Sequence, residues 1–474
     1  MELAKNLNRL PGKVNFQTHF HLIGIGGVAM TALAGLLKQE GYKVTGSDEN
    51  LYPPMKDILA RLELTVCQGY GPETLPPDSV AVVGNVVTRK FPVIETLMER
   101  GQYYVSLPQL MGELFLAETK NLVISGCHGK TTVTNLAAAL MENLGLKPGF
   151  LIGGQSLDLP RAYEVPLGEW FIIEGDEYDS AFFQKVPKFI FYKPRTVILT
   201  GVEFDHGDIY PDLASVTDAY RGLIELIPPE GLLLANGDDP ICRELARLCR
   251  GRVEFYGQVS DNDWVVTDYR AGESFSFNLK GPGVNLALSW SRPGLYNALN
   301  AAAALAFTIR AGADPGQLPI ILSQLRGVKR RQEVLGNFGG VRVIDDFAHH
   351  PTAVLNTLIG LKSDLKGRLV AVFEPRSNTT RRAVFQNAYQ KALAAGDLVF
   401  LAGVNQPDKA PPDDRLDPLA LVRAIGPKAR YCPEPGKLLA ELMAALKPGD
   451  TVVLMSNGDF GDLARKLTAG LSSR

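Results

Sequence analysis

Short apolar runs alternate with segments of helical periodicity over the first part of the chain. Runs of strand length occur at Phe20–Gly24, Lys43–Ser47 and Val80–Val83, and the apolar residues of Ala29–Glu40 recur with the period of a helix. Strands that alternate with helices form parallel sheets covered by those helices. The pattern therefore predicts a Rossmann-like α/β domain at residues 1–118.

The pattern restarts twice further along the chain. Residues 119–328 are predicted as a central α/β domain with a mostly parallel sheet, and residues 329–474 as a C-terminal Rossmann-like domain. The central elements are strands at Asn121–Ser125, Trp170–Ile173 and Val197–Thr200, helices at Thr131–Leu144, Ala298–Ile309 and Leu318–Leu325, and small antiparallel strands within Val253–Trp290. The C-terminal strands are predicted at Val341–Asp345, Leu369–Phe373, Leu398–Ala402 and Thr451–Met455.

Composition excludes several classes of protein. Of the 474 residues, 46% are hydrophobic and 21% are charged, which excludes a disordered chain. Lys and Arg number 49 and Asp and Glu 51, so no net field attracts nucleic acid or an anionic membrane. No apolar run reaches the roughly 18 residues of a membrane span, and Met1–Val14 lacks the features of an export signal. Since the five cysteines have no paired spacing, we expect a cytoplasmic protein.

A glycine-rich turn follows the first predicted strand. Gly24, Ile25, Gly26 and Gly27 precede a helix, and Asp48 follows the next strand. Glycines let the backbone approach a diphosphate, and a helix N-terminus offers N–H groups and a partial positive charge. The turn predicts a dinucleotide-like ligand. A nicotinamide coenzyme, another nucleoside diphosphate and a simple packing turn remain open.

A second glycine-rich loop is more specific. It follows a strand and precedes a helix, and it contains Gly126, Cys127, His128, Gly129, Lys130, Thr131 and Thr132. The glycines expose N–H groups to phosphate oxygens, Lys130 neutralises the terminal phosphates, and the Thr131 hydroxyl is a ligand for Mg²⁺. The loop predicts an ATP site, in a form shorter than the general P-loop.

Acidic residues follow two strands that are expected beside this loop. Glu174 to Asp179 come directly after one strand, and Glu203 to His206 come after the next. Since the carboxyl ends of parallel strands share one sheet edge, these residues are expected to converge on the phosphate loop. Oxygen ligands suit Mg²⁺, so Glu174 and His206 are predicted metal residues. A solvated acidic loop is the alternative.

Two polar segments end strands of the C-terminal domain. The first contains Asp346 and the adjacent His349 and His350, which favour a polar cleft over a zinc site because no third ligand accompanies them. The second contains Arg376, whose guanidinium suits a substrate carboxylate. An ordinary surface arginine is the alternative.

These motifs, in this order, resemble those of the Mur ligase family, the ATP-dependent amide-forming enzymes of bacterial peptidoglycan assembly. The motifs are G-I-G-G from Gly24, G-C-H-G-K-T-T from Gly126, E-G-D-E-Y-D from Glu174, E-F-D-H from Glu203, N-G-D-D from Asn236, Y-N-A-L-N from Tyr296, K-R-R from Lys329 and D-D-F-A-H-H-P-T from Asp345. The resemblance covers nearly the whole chain.

The resemblance implies a set of binding residues. UDP-N-acetylmuramate is expected at Gly24, Ile25, Gly26, Gly27, Asp48, Asn85 and Gln109. ATP is expected between the second and third domains, at Gly126, His128, Gly129, Lys130, Thr131, Thr132, Asn297, Asn300, Arg331 and Asp346. The acceptor is expected at His349, Arg376 and Asn378, and Mg²⁺ at Thr131, Glu174 and His206. Lys130, Glu174 and His206 are the expected catalytic residues.

The resemblance also implies a peptide acceptor. Tyr52–Met55 and Glu374–Thr379 are similar to members that attach L-alanyl-γ-D-glutamyl-meso-diaminopimelate to UDP-N-acetylmuramate through an acyl phosphate, in peptidoglycan recycling. Members that attach L-alanine, the alternative, carry arginines where this chain has Ser377 and Thr380, and smaller side chains leave room for a longer acceptor. A nicotinamide oxidoreductase or a non-catalytic nucleotide-binding protein explains only part of the motifs. We expect a monomer or weak dimer.

Overall fold

The computed structural model describes residues 14–272 and 274–473, which form two compact units. Unit 1 contains the described residues up to Val202, with Ala214–Asn262 and Ala303–Ala313. Unit 2 contains Glu203–Leu213, Asp263–Ala302 and the described residues from Asp314 onwards. Residues 1–13, on which most of the export-signal prediction rests, lie outside the described part of the chain. The domain boundaries after residues 118 and 328 stay a prediction.

Unit 1 begins with a parallel sheet. Its strands are β1 (His19–Ile23), β2 (Lys43–Asp48), β3 (Thr65–Gln68), β4 (Ser79–Val83) and β5 (Tyr104–Ser106). Its helices are α1 (Val28–Gln39), α2 (Met55–Arg61), α3 (Pro92–Glu99) and α4 (Leu107–Leu114). The strand order is β3-β2-β1-β4-β5, and every residue of β4 is buried, as expected for a parallel strand covered on both faces. The predicted strand–helix alternation is confirmed here.

A second sheet of unit 1 carries the phosphate loop. Its strands are β6 (Lys120–Ser125), β7 (Gly149–Leu151), β8 (Tyr163–Glu164), β9 (Trp170–Glu174), β12 (Pro194–Leu199), β13 (Leu232–Asn236) and β14 (Arg252–Gly257). Between β9 and β12 the chain forms a separate hairpin of β10 (Asp179–Ala181) and β11 (Gln184–Pro187). The helices are α5 (Lys130–Asn143), α6 (Leu213–Glu225) and α7 (Pro240–Ala246). The order is β14-β13-β12-β6-β9-β7-β8, in which β8 pairs antiparallel with β7 and the other pairs are parallel. The hairpin strands β10 and β11 pair antiparallel with each other.

Strand β14 lies at the start of the segment Val253–Trp290, within which small antiparallel strands are predicted. It pairs in parallel with β13, and the antiparallel strands lie further along the segment. Helix α7 lies between β13 and β14 in the chain and supplies the crossover that parallel pairing requires. The hairpin β10–β11 was not predicted. Its tip residue Phe183 meets Tyr104 of β5 edge-to-face, with the ring centroids 4.9 Å apart, so the hairpin packs on the first sheet.

Unit 2 contains an antiparallel meander and a mostly parallel sheet. The meander strands are β15 (Trp264–Arg270), β16 (Phe275–Gly281) and β17 (Val284–Trp290), as the alternation predicted. The sheet strands are β18 (Glu333–Phe338), β19 (Val341–Asp346), β20 (Leu369–Phe373), β21 (Leu398–Ala402), β22 (Ala429–Cys432) and β23 (Thr451–Met455). Their order is β18-β19-β23-β20-β21-β22, and β18 is the antiparallel edge strand.

Helices cover both faces of this sheet. Helices α10 (Pro351–Lys362), α11 (Gln386–Leu393) and α12 (Pro418–Ile425) pack on one face, and α13 (Pro435–Ala445) and α14 (Leu463–Ser472) on the other. Helix α9 (Leu318–Gln324) contacts β17 of the meander. Helix α8 (Leu295–Arg310) begins in unit 2 and ends in unit 1. Two buried apolar clusters lie on opposite faces, because alternate residues of β20 contribute to each. Short 3-10 helices occur at Pro72–Thr74, Lys188–Phe191, Pro315–Gln317, Ala383–Phe385, Pro407–Lys409, Pro412–Asp414 and Phe460–Asp462. Over the described ranges, every helix is too short or too polar to cross a membrane.

Candidate active site

The phosphate loop of unit 1 connects β6 to α5 through two glycines with positive φ. Gly126 has a φ of 122°, and a Cβ there would lie closer than 3.0 Å to Thr200 and to the backbone of Gly201. Gly129 has a φ of 82° and is the N-cap of α5, so no side chain caps the helix. A 14-residue helix with this glycine start presents its N-terminal N–H groups and dipole to an anion. The local geometry therefore suits a phosphate.

Lys130 forms the main ion pair of this loop. Its ammonium donates to the carbonyl of Gly126 at 2.8 Å and to the two carboxylate oxygens of Glu177 at 3.1 and 3.2 Å. The Glu177 side chain is only 1% exposed. Burial alone lowers the pKa of Lys130, but the charges of Glu177 and Asp176 raise it above its ordinary value. Lys130 therefore stays cationic, and Glu177, to which the sequence analysis gave no role, is its counter-ion.

The predicted metal residues Thr131 and Glu174 meet in unit 1. The Thr131 hydroxyl donates to Glu174 Oε2 at 2.9 Å, and the backbone N–H of Gly153 donates to Glu174 Oε1 at 2.6 Å. Burial and the neighbouring Asp176 raise the pKa of Glu174. Burial disfavours the ionised form of a carboxyl group, and a nearby cation stabilises that form. Hydroxyl and carboxylate oxygens are the ligands that Mg²⁺ prefers. These two residues therefore fit a magnesium ion.

His206, the third predicted metal residue, belongs to unit 2. It has a left-handed backbone with a φ of 55°, and its N–H donates to its neighbour Asp205 at 2.7 Å. The Asp205 pKa is lowered, since His206 and His350 outweigh the opposing effect of burial. The Glu203 carboxylate accepts a hydrogen bond from the Thr352 hydroxyl at 2.7 Å and lies 3.6 Å from His350. Strand-end acidic residues and the two histidines thus share one polar cluster in this unit.

The first glycine-rich turn is closed by Asp48. The N–H of Gly26 donates to Asp48 Oδ2 at 2.8 Å, and a Cβ at Gly26 would lie 2.9 Å from the same oxygen. Asn85 follows the adjacent strand β4 and is exposed, whereas Gln109 is 2% exposed and accepts a hydrogen bond from Gln184 at 2.8 Å. The turn and Asn85 therefore lie at one sheet edge, and Gln109 is held by the hairpin β10–β11.

The predicted nucleotide residues of unit 2 are connected by Gln332. Asn300 donates to Asn297 at 3.3 Å, and Asn297 donates to Gln332 Oε1 at 3.3 Å. The backbone N–H of Gln332 donates to Asp346 Oδ2 at 2.7 Å. Arg331 lies over the ring of Phe347, 4.6 Å from its centroid. The structure therefore brings Asn297, Asn300 and Asp346 together. Gln332 carried no recognisable signal in the sequence, because its contacts are 14 and 35 residues away.

The predicted acceptor residues lie at the carboxyl ends of strands in unit 2. Arg376 follows β20 and donates to the Asp459 carboxylate at 2.7 Å. Asn378 donates to Asp208 at 2.9 Å. His349 Nδ1 lies 3.0 Å from the carbonyl oxygen of Phe347, and its own carbonyl accepts from the Tyr389 hydroxyl. These contacts place a guanidinium, an amide and an imidazole on the loops after β19 and β20, which is the ligand-binding edge of such sheets.

Three family models match the chain in sequence. They are described as "Mur ligase family, catalytic domain" at residues 19–119, "Mur ligase middle domain" at residues 124–308 and "Mur ligase, glutamate ligase domain" at residues 330–458. Together they span most of the chain, in one order.

Relatives and solved structures agree with these matches. The chain is 35% identical over 470 residues to the UDP-N-acetylmuramate–L-alanyl-γ-D-glutamyl-meso-2,6-diaminoheptandioate ligase of Escherichia coli, covering 96% of this chain and 98% of that protein. It is 30% identical to a UDP-N-acetylmuramate–L-alanine ligase of a Mycobacterium species, covering 96% and 95%. A crystal structure of a murein peptide ligase from Psychrobacter arcticus matches with a TM-score of 0.75 and 30% identity, covering 96% of this chain and 99% of that one.

Proposed function

The chain belongs to the Mur ligase family, and on that premise we propose that it is an ATP-dependent ligase that joins L-alanyl-γ-D-glutamyl-meso-diaminopimelate to UDP-N-acetylmuramate. The observation that carries the choice of acceptor is the 35% identity, over nearly both full lengths, to the tripeptide ligase of Escherichia coli. Ser377 and Thr380 support the same choice, because they stand where the resemblance places arginines in members that attach L-alanine.

Activation of the acid is the first chemical requirement. The lactyl carboxylate of the muramyl group attacks the γ-phosphorus of ATP, and the bond from that phosphorus to the bridging oxygen breaks. ADP leaves with the bridging oxygen, and the carboxylate becomes an acyl phosphate. The ammonium of Lys130 and the N–H groups at the start of α5 stabilise the negative charge on the transferring phosphoryl group. For this, Lys130 exchanges its contact with Glu177 for one with phosphate.

Amide formation follows. The free amine of the tripeptide attacks the acyl carbon, inorganic phosphate leaves, and the amine loses a proton. We assign the tripeptide to the loops after β19 and β20, with Arg376, Asn378 and His349 as its contacts. Phosphate is a better leaving group than hydroxide, which is why the reaction needs ATP.

A divalent cation completes the proposed site. We assign Mg²⁺ to the oxygens of Thr131 and Glu174, with His206 as a third residue, and when bound it neutralises charge on the ATP phosphates. The Thr131 hydroxyl and the Glu174 carboxylate are held 2.9 Å apart by their own hydrogen bond. The chain thus keeps two oxygen ligands adjacent at the mouth of the phosphate loop.

The remaining assignments extend the same proposal. The turn at Gly24–Gly27 receives the diphosphate of UDP-N-acetylmuramate, and Asn85 and Gln109 line the sugar side. Asn297, Asn300, Arg331 and Asp346 receive the nucleoside part of ATP. We place the reaction in peptidoglycan recycling in the cytoplasm, by a monomer or weak dimer.

An acceptor panel tests the proposed function. Release of ADP is followed with ATP, Mg²⁺ and UDP-N-acetylmuramate, with either the tripeptide or L-alanine as acceptor. We expect turnover that requires all components and a higher kcat/KM for the tripeptide. Faster turnover with L-alanine would make the chain a UDP-N-acetylmuramate–L-alanine ligase, a candidate favoured by the 30% identity to the mycobacterial relative. ADP release without an acceptor would overturn both.

A further inference from the structure

Arg376 lies between two carboxylates that differ strongly in burial. The Glu374 residue is 8% exposed, accepts a hydrogen bond from the Ser456 hydroxyl at 2.5 Å, and lies 3.8 Å from Arg376. The Asp459 side chain is 73% exposed and accepts from Arg376 at 2.7 Å. Glu374 is therefore a fixed, buried neighbour at the end of β20, whereas Asp459 holds the guanidinium from the solvent side.

The backbone of Gly458 forms a floor under the guanidinium. A Cβ at this position would lie closer than 3.0 Å to Nε, Cζ and Cδ of Arg376, so the flat group rests directly on the glycine. The N–H of Gly458 donates to Ser456 Oγ at 3.0 Å, which ties this floor to the residue that holds Glu374. The φ of Gly458 is not in the left-handed region. A side chain at this position would therefore make Arg376 shift, while the backbone conformation itself does not require glycine.

The contact between Arg376 and Asp459 is easily exchanged. Exposed ion pairs contribute little to stability, since water solvates the separated charges nearly as well. The pKa of Asp459 nevertheless lies below its ordinary value, because the hydrogen bond and charge of Arg376 outweigh its partial burial, so it is ionised at neutral pH. A second carboxylate that binds Arg376 must therefore displace a charged competitor.

We propose that Asp459 and Gly458 determine specificity for the acceptor. A free carboxylate of the acceptor displaces the Asp459 carboxylate from Arg376. Gly458 sets the position of Arg376. This inference rests on the proposed function, in which Arg376 contacts the acceptor. It assigns roles to two residues of the loop after β23 that no motif of the sequence indicated. Changes at the two residues should affect acceptor binding in opposite directions. Removal of the Asp459 charge frees Arg376, whereas a side chain at Gly458 displaces Arg376.

The test compares four acceptors in the full-length protein. They are the tripeptide and three analogues that each lack one of its free carboxylates, through D-isoglutamine at the second residue, lysine at the third residue, or a C-terminal amide. In Asp459→Asn, we expect the KM for the tripeptide to fall roughly two- to fivefold, with the KM values for ATP and UDP-N-acetylmuramate unchanged. The fall should vanish for one analogue, which identifies the carboxylate that binds Arg376.

Two further variants complete the test. Gly458→Ala should raise the KM for the tripeptide about tenfold or more and leave that same analogue unaffected, since a charge-assisted hydrogen bond is lost. Arg376→Leu should do the same, which keeps the test open if the alanine variant fails to fold. Asp408→Asn is the matched control, because Asp408 forms a similarly exposed pair with Arg415 at 3.0 Å.

The outcomes separate the two proposals. If Asp459→Asn shifts the KM for all four acceptors equally, or shifts none, Asp459 does not compete for Arg376 and the inference is overturned while the ligase assignment stands. If the unmodified protein turns over no acceptor, the proposed function fails and the inference falls with it.

Discussion

Two ion pairs at strand ends illustrate two ways of presenting a cation to a substrate. In the phosphate-loop pair of unit 1, Lys130 and Glu177 are 14% and 1% exposed and lie 3.1 Å apart. In the acceptor pair of unit 2, Arg376 and Asp459 are 32% and 73% exposed and lie 2.7 Å apart. The shorter contact is the more exposed one. Distance alone therefore does not rank these pairs, and the surrounding solvent decides how strongly each cation depends on its partner.

The difference follows from what surrounds each cation. Lys130 is buried among carboxylates that keep it charged where burial alone favours the neutral amine. Removal of a partner from such a pair leaves an uncompensated charge in a poorly solvated place. Arg376 is exposed to solvent, and water can replace its partner at little cost in free energy. The buried cation thus depends on a charged partner, which is Glu177 here and phosphate in the proposed reaction, whereas water can replace the partner of the exposed cation.

The largest effect is expected from Lys130→Ala. ADP release that depends on all substrates should fall by about two to three orders of magnitude or more, because the transferring phosphoryl group loses its fixed positive charge. Because the variant leaves the buried Glu177 without its cation, circular dichroism under the assay conditions checks that it is folded. Lys185→Ala is the control, since Lys185 is 69% exposed and pairs with Asp179 in the same unit. Equal activity of the two variants would remove Lys130 from the mechanism.

Glu177→Ala tests the contrast in stability directly. Because Lys130 would be left without its counter-ion, the free energy of unfolding should fall by about 3–5 kcal/mol. Glu169→Ala removes the carboxylate of an exposed pair in the same unit, in which Lys120 and Glu169 are 48% and 74% exposed, and should cost less than about 1 kcal/mol. Urea denaturation of both variants measures the difference. Similar losses would show that burial does not distinguish the pairs.

Asp345 of unit 2 tests whether burial disfavours a charged group elsewhere than in the phosphate loop. Burial raises the pKa of Asp345 to about 6, from an ordinary 3.8, against the opposing charge of Arg330. Its protonated form therefore contributes stability that is complete below the unfolded pKa and lost as the pH rises through 6. The free energy of unfolding of Asp345→Asn, relative to that of the unmodified protein, should therefore rise by about 1–3 kcal/mol between pH 4 and pH 7.5.

Urea unfolding at the two pH values measures this gain. The matched control is Asp408→Asn, whose carboxylate is 90% exposed and whose replacement should cost less than about 1 kcal/mol. A gain that is independent of pH would show that the Asp345 charge is not disfavoured in the folded protein, and the contrast would then be specific to the phosphate loop.

The local parts of the site were predictable from the sequence. The phosphate loop was placed correctly between a strand and a helix, since β6 ends at Ser125 and α5 begins at Lys130. The acidic run after β9 and the arginine after β20 were likewise located at strand ends. Each of these features is encoded within about ten neighbouring residues by periodicity, glycine spacing and strand length.

Other features were missed because their signals are weak or distant. The hairpin β10–β11 has strands of three and four residues, too short for a periodic pattern. The parallel pairing of β14 with β13 was not predicted, because alternation of residues along a strand does not identify its neighbour in the sheet. Glu177 lay within a recognised acidic run, but nothing in that run indicates which of its carboxylates faces Lys130.

The sequence by itself determined the order of elements, the position of the two glycine-rich turns and the family resemblance, since each depends on residues close together in the chain. The tertiary structure alone decided that Glu177 pairs with Lys130, 47 residues away, and that Asp459 meets Arg376, 83 residues away. The physical reason is that an ion pair depends on distance and solvation in three dimensions. Both are set by the packing of strands and loops that the chain brings together only when it folds.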